Sequence, residues 1–240
     1  MQVPAHAIVV EQAVAVAKIE ALGHGIHLRD YSMVSDRSAI LWSGGLDSTV
    51  LLADELSAGR VVQPIHVRCG LAWEPAEART MARLLALAPL AGRSEPVITV
   101  EVNAQHLYPA DHWAVVGRPP VFSSPDEDVY LEDRNRLLIS NAAVVCKQRG
   151  ITRLLLAPLA GNPFPDATLE FFAEMADAMS ETLGHPLEIC APYLALRKAE
   201  VAQRGMKLGV PMDLTLSCMN PTPDDGHCGA CSKCRERFTG

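Results

Sequence analysis

A chain of 240 residues, 49 % of them apolar and 20 % charged, has the material for one full α/β core and does not read as disordered. Its net charge of −7 argues against a broad nucleic-acid face, which would need clustered basic residues. No run of about 18 apolar residues offers a membrane span, and residues 1–30 lack a basic stretch ahead of an apolar block, so the expected compartment is the cytoplasm.

In chain order, Ala7-Ile8-Val9-Val10 is followed by an Ala/Val-rich stretch, Gln12 to Leu22, that predicts a helix ended by Gly23 and Gly25. Its expected role is packing or contact with a partner, including a second copy. The apolar run Ala39-Ile40-Leu41-Trp42 then predicts a strand, and Val50 to Leu56 has helical spacing. Between them stands Ser43-Gly44-Gly45-Leu46-Asp47-Ser48-Thr49. Paired glycines allow a tight turn, and a helix start adds unpaired N–H donors and a positive dipole end. With three hydroxyls from Ser43, Ser48 and Thr49, the stretch is expected to cradle a polyphosphate. Asp47 is repulsive there unless Mg²⁺ bridges it to phosphate, or unless it serves only as a helix cap. No Lys follows the glycines, so this is not the G-x-x-x-x-G-K-[ST] loop.

A second strand is predicted over Val61 to Val67, a helix from Pro75 to Leu90 and a third strand over Pro96 to Val102. His66, within a strand, is expected to be a packed histidine. Residues 103–130 are rich in Pro and aromatic residues without periodicity, which predicts either a lid or substrate-contact insertion or a surface loop. Asp126, Glu127 and Asp128 read as a solvated acidic run. A helix is expected from Leu131 to Arg149 with Asp133 as its cap, a fourth strand over Ile151 to Ala157, a helix from Leu169 to Leu183, a short strand over Leu187 to Ala191, and a helix from Lys198 to Leu208. Strands alternating with helices predict a doubly wound parallel sheet with ligands at the carboxyl ends of its strands.

Cys69, Cys146 and Cys190 lie in apolar surroundings and are expected to be core thiols. Cys218, Cys228, Cys231 and Cys234 cluster at the end of the sequence. Four thiolates at this spacing suit a closed tetrahedral Zn²⁺ site, with an iron–sulfur cluster as the rival.

SGGLDSTV, the Asp133-Arg134-Asn135 turn, Asn162-Pro163-Phe164-Pro165-Asp166, Lys198 and the terminal T-L-S-C…H-C-G-A-C-S-K-C-R-E-R-F stand in the order seen in the QueC family of ATP pyrophosphatases. The chain resembles that family over roughly residues 38–239. The resemblance implies an N-terminal extension over 1–38, an ATP pyrophosphatase (PP-loop) domain over 39–210 and a zinc-binding segment over 211–240. It also implies ATP and Mg²⁺ held by Ser43, Gly44, Gly45, Leu46, Asp47, Ser48 and Thr49, with Lys198 neutralising phosphate. Arg134 and Asn135 would contact substrate or nucleotide, Asp166 would lie near the substrate, and the four clustered cysteines would hold Zn²⁺. The implied reaction adenylates 7-carboxy-7-deazaguanine and uses ammonia to make an amide and then a nitrile. Three segments depart from the family pattern: Cys69 to Glu74 replaces G-Q-R-H, Asp133 replaces the glycine of G-R-N, and Ala167-Thr168 replaces the cysteine and arginine of Y-P-D-C-R. The alternatives are coupling of this or another acid to a different amine, such as one on a protein, and tRNA modification by a PP-loop enzyme.

Overall fold

The computed structural model describes residues 36–239, so the readings made for residues 1–35 lie outside the described residues. The sheet grows from β1 (Arg37–Leu41), which pairs in parallel with β2 (Val61–Arg68) on one side and β4 (Arg153–Leu155) on the other. β3 (Ile98–Glu101) extends the β2 edge and β5 (Glu188–Cys190) the β4 edge, giving the order β3-β2-β1-β4-β5 with every pairing parallel. The chain winds outward from β1 in both directions, and the crevice between β1 and β4 is therefore the switch point where ligands collect in such folds.

Alternation along the central strands builds two cores, one on each face. Ala39, Ile65, Val67 and Leu154 point to one side and pack with Ile139, Ala142 and Cys146 of α3 (Arg134–Arg149) and Phe172 and Met175 of α4 (Leu169–Leu183). Ile40, Val62 and Leu155 point to the other. There they meet Val50, Leu51 and Leu52 of α1 (Leu46–Ser57), Met81 and Leu84 of α2 (Glu74–Leu85), and Val201 of α5 (Lys198–Lys207). Leu51 and Leu52 are almost wholly buried, and each such side chain contributes about 2 kcal/mol by leaving water. Glu55 of α1 is anchored across the sheet. It accepts hydrogen bonds from Ser38 of β1 at 3.1 Å and Arg153 of β4 at 2.9 Å, and is also paired with Arg60.

Several boundaries and one cap differ from the sequence reading, with α2 and β4 departing most. α2 stops at Leu85 instead of continuing to Leu90, because Pro89 disfavours helical geometry in the residue before it and cannot donate to a helical ladder. β4 is shorter than Ile151 to Ala157. Asp133 does not cap α3: it takes a left-handed backbone (φ 59°) and its Oδ1 accepts a hydrogen bond from Arg136 Nε at 2.9 Å. Residues 103–130 are packed onto the domain, with an α-helical turn at Trp113–Val116 between 3₁₀ turns at Gln105–Leu107 and Asp126–Val129, and with Ala104, Ala114 and Val129 buried. Within the acidic run, Asp126 is tied to Arg235 at 2.6 Å. Cys69 and Cys146 are core thiols as expected, whereas Cys190, on the edge strand, is only partly covered. α4 matches its expected span, and Thr168 Oγ1 accepts the Phe171 N–H at 3.1 Å to start it.

Candidate active site

The carboxyl ends of β1, β2 and β4 open into one cavity of about 350 Å³, within the usual size of a ligand pocket. Its lining includes Ser43, Gly45, Leu46 and Asp47 from the loop after β1, Arg134 and Asn135 from the start of α3, Asp166, and Lys198 from the start of α5. Residues widely separated in sequence are thus brought to one place.

The loop after β1 is built around Gly44. Its φ of +73° suits glycine, and a Cβ there would come within 3.0 Å of Met81 Cγ. Gly45 is the N-cap position of α1 and has no side-chain cap, so the first N–H groups of the helix remain available to an anion. Gly44, Ser48 and Thr49 stand behind the lining. Ser48 Oγ donates to the Gly45 carbonyl at 3.3 Å, and Thr49 is fully buried, accepting the Trp42 indole N–H at 3.1 Å. Their hydroxyls shape the loop.

Asp47 does not cap the helix. Its Oδ2 accepts from Lys198 Nζ at 2.6 Å, while the buried Oδ1 has no partner. Burial raises its pKa and the Lys198 ammonium opposes the rise. Lys198 also lies 3.2 Å from Glu236, which is 2.6 Å from Lys233. Burial would lift the Glu236 pKa, but Lys233 and Lys198 together hold it below the usual range. This four-member chain of alternating charge lines the cavity. Lys233 and Glu236 stand between and beyond the last cysteines, where the sequence reading gave them no role of their own.

Both come from α6 (Ser232–Thr239), which follows directly on Cys231 and contains Cys234. The ligand atoms of Cys218, Cys228, Cys231 and Cys234 all lie within 4.8 Å of one another. The separations are 3.9 Å for Cys218–Cys231, 3.9 Å for Cys228–Cys234 and 3.5 Å for Cys231–Cys234. A tetrahedral Zn²⁺ with Zn–S bonds near 2.3 Å separates its sulfurs by about 3.8 Å, so the donor set fits that ion. The cluster adjoins the phosphate-type loop: Leu216 N–H donates to the Gly44 carbonyl at 3.0 Å, and Cys218 lines the cavity.

A separate part of the lining is aromatic. Trp73 and Trp113 stack with centroids 5.8 Å apart, Tyr130 and Phe164 meet at 5.3 Å, and all four are lining residues. Asp166 sits on a single 3₁₀ turn, Pro165–Ala167, where its Oδ2 accepts the Asn135 backbone N–H at 3.1 Å and caps α3 from a distant segment. The Asn135 side-chain amide donates to the Asp166 carbonyl at 3.0 Å. Asp166 Oδ1 is buried without a partner, and burial raises the pKa against the Asn135 hydrogen bonds. Arg134 Nε is likewise buried and unpartnered.

Two lining residues, His66 and Glu77, had no site role in the sequence reading beyond the expectation that His66 is packed. His66 is 3 % exposed, but it also lines the cavity. Its Nδ1 is 3.1 Å from the Trp42 carbonyl, and its Nε2 is buried without a partner. Burial lowers its pKa to about 4, so the ring is neutral at pH 7. With Nδ1–H donating to Trp42, Nε2 is an acceptor. Glu77 of α2 is 8 % exposed and lines the cavity, and burial lifts its pKa to about 8. Glu74 serves the backbone instead, its oxygens accepting the N–H groups of Cys69 at 2.7 Å and Gly70 at 2.8 Å. That locks the turn after β2, whose Gly70 has φ +83°.

A family model described as "Queuosine biosynthesis protein QueC" matches residues 37–240. The chain belongs to the QueC family. A 7-cyano-7-deazaguanine synthase of Anaeromyxobacter dehalogenans is 33 % identical over 217 residues, covering 84 % of this chain and 91 % of that protein. One of Azoarcus sp. is 29 % identical over 218 residues, covering 85 % and 91 %. Among solved structures, an NMN synthetase from Francisella tularensis aligns with a TM-score of 0.44 at 14 % identity, covering 78 % of this chain and 68 % of that one. This QueC-family chain is accordingly an enzyme of the ATP-dependent ligase class, with a parallel α/β fold and a cysteine cluster suited to a metal.

Proposed function

We propose that this QueC-family enzyme uses Mg-ATP to adenylate a 7-deazapurine carboxylic acid, 7-carboxy-7-deazaguanine, and converts it with ammonia to the amide and then the nitrile. The observation that carries the reading is one cavity with two dissimilar ends. An uncapped helix N-terminus with Lys198 forms one, and aromatic rings with Arg134 and Asp166 form the other.

A carboxylate resists attack by ammonia because its oxygen leaves badly. In the proposed reaction a substrate carboxylate oxygen attacks the α-phosphorus of ATP, and the bond to the β,γ-pyrophosphate breaks. The leaving charge falls on the first N–H groups of α1, the Ser43 hydroxyl and the Lys198 ammonium. Asp47, whose Oδ1 is buried without a partner, would hold Mg²⁺, which would supply positive charge to offset the negative charge of the phosphates. Arg134 holds the acid against the nucleotide. Ammonia then adds to the acyl carbon and AMP leaves with its oxygen, giving the amide. Activation of the amide oxygen in the same way, with loss of AMP and the nitrogen-bound protons, gives the nitrile. The four cysteines would hold Zn²⁺ as a closed structural site that takes no part in the chemistry.

The test is release of AMP and pyrophosphate from Mg-ATP with 7-carboxy-7-deazaguanine, with and without ammonia, and products identified by mass spectrometry. Nitrile is expected, and Asp47→Ala should abolish it. AMP formation without nitrile would reassign the acceptor to another amine, an outcome to which the altered segments 69–74 and 164–168 lend weight. No acid-stimulated AMP would overturn the reading.

A further inference from the structure

Four polar groups in the lining of the cavity lack protein partners sufficient for them. His66 Nε2, Asp166 Oδ1 and Arg134 Nε are buried and unbonded. The Glu77 carboxyl, 8 % exposed, lines the same cavity. Leaving one such group unsatisfied costs about 1–3 kcal/mol. A fold that tolerates several in one place holds them for a ligand.

Their chemistry narrows the ligand. His66 Nε2 accepts, because Nδ1–H is committed to the Trp42 carbonyl at 3.1 Å. Asp166 Oδ1 accepts, because its other oxygen already serves Asn135. Glu77 lies on the same wall as Trp73, one helical turn further along α2. The only guanidinium among the four, Arg134, is the group suited to a carboxylate. The ligand must therefore be flat enough to lie among Trp73, Trp113 and Tyr130, carry an acid for Arg134, and otherwise present N–H donors. A heterocycle with only acceptor atoms on its edge would leave Glu77, His66 and Asp166 unsatisfied.

We infer that Glu77 is the specificity-determining residue of this enzyme, accepting a hydrogen bond from the exocyclic amine of an aminopyrimidinone ring, with His66 Nε2 accepting a ring N–H. The inference rests on the proposed adenylation of a deazapurine acid and adds the part of that acid that is read. Glu77 accepts the amine whether or not it carries its own proton, since one of its oxygens is always free of hydrogen. A site built to hydrogen-bond an amine rejects the analogue that lacks it, because the buried carboxyl is then left alone again.

The test measures binding of two acids to the full-length protein by calorimetry, in the absence of ATP: 7-carboxy-7-deazaguanine and the same molecule without its 2-amino group. The parent should bind the 2-amino compound about 30-fold or more tightly than the deamino one. Glu77→Met removes every oxygen acceptor while keeping the length of the side chain, and the preference should collapse to about threefold or less, whereas Glu77→Gln keeps a carbonyl acceptor for the amine and should retain most of it. His66→Phe should weaken both acids about equally and leave the preference intact. Circular dichroism and the midpoint of thermal unfolding establish that each variant is folded, and Glu77→Leu is the second variant if Glu77→Met is not. Equal binding of the two acids by the parent, or a preference retained in Glu77→Met, overturns the Glu77 assignment while leaving adenylation in place. Failure of the parent to bind either acid overturns both.

Discussion

The two ends of the cavity solve the burial of charge in opposite ways. At the phosphate end, Asp47, Lys198, Glu236 and Lys233 pair with one another at 2.6–3.2 Å, and only Asp47 Oδ1 among their buried atoms is left without a partner. At the aromatic end, His66, Arg134 and Asp166 leave polar atoms without partners beside the buried Glu77 carboxyl. The first arrangement is stable when empty and must rearrange when a polyphosphate arrives, because Lys198 cannot serve Asp47 and phosphate at full strength together. The second is incomplete when empty and is finished by its ligand. Affinity at the first end is therefore reduced by the internal pairs that a ligand displaces, whereas at the second it is raised by the penalties a ligand removes.

The sharpest way to break this contrast is Lys198→Ala. It removes the cation from the phosphate end and leaves Asp47 and Glu236 facing each other, so kcat/KM for ATP should fall roughly 10³-fold in a pyrophosphate-release assay. A loss below tenfold would mean that the ion pair only holds α5 in place. Cys231→Ser should come next. Metal content measured by mass spectrometry should drop, and unfolding should be easier by about 3 kcal/mol. KM for ATP should rise in parallel, since α6 carries Lys233 and Glu236.

The aromatic end yields a pH signature. In the unfolded chain Glu77 ionises near its ordinary 4.5, whereas burial keeps it protonated to about 8. Between those values folding takes up a proton, so the stability contributed by the neutral acid is complete below 4.5 and declines as pH rises towards 8. Glu77→Gln cannot ionise and lacks that decline. At pH 8 it should exceed the parent in stability by about 2–4 kcal/mol, with the difference shrinking towards pH 5, measured by urea unfolding. A pH-independent difference would mean that water reaches the carboxyl. The smallest effect expected is that of Lys233→Ala, about tenfold in KM for ATP with the unfolding midpoint nearly unchanged, because the Lys198–Asp47 pair remains.

The contrast also explains what the sequence disclosed. The loop from Ser43 to Thr49 and the four cysteines are local patterns: their chemistry depends on neighbours a few residues away, and spacing alone reveals it. The strands and helices of the sheet were legible for the same reason, apart from ends set by Pro89 and by pairing length. Asp133 looked like a cap because capping is usually local, yet the carboxylate that caps α3 is Asp166, 31 positions away. Glu77 reads as an ordinary helix surface residue until α2 is laid against the cavity. His66 was expected to be packed and is, but a packed ring can still present one nitrogen to a ligand. Lys233 and Glu236 are i,i+3 partners that any solvated helix carries, and only the docking of α6 turns them towards Lys198.

The bond from Leu216 to Gly44 and the charges on α6 have a meaning for the order of events in synthesis. Every strand of the sheet precedes that segment, so a nascent chain can assemble its scaffold while the nucleotide site still lacks two of its four charged members. Such a chain would be folded and silent. Trimming of the last helix by a protease should have the same result, switching off ATP turnover while the sheet and its two cores persist.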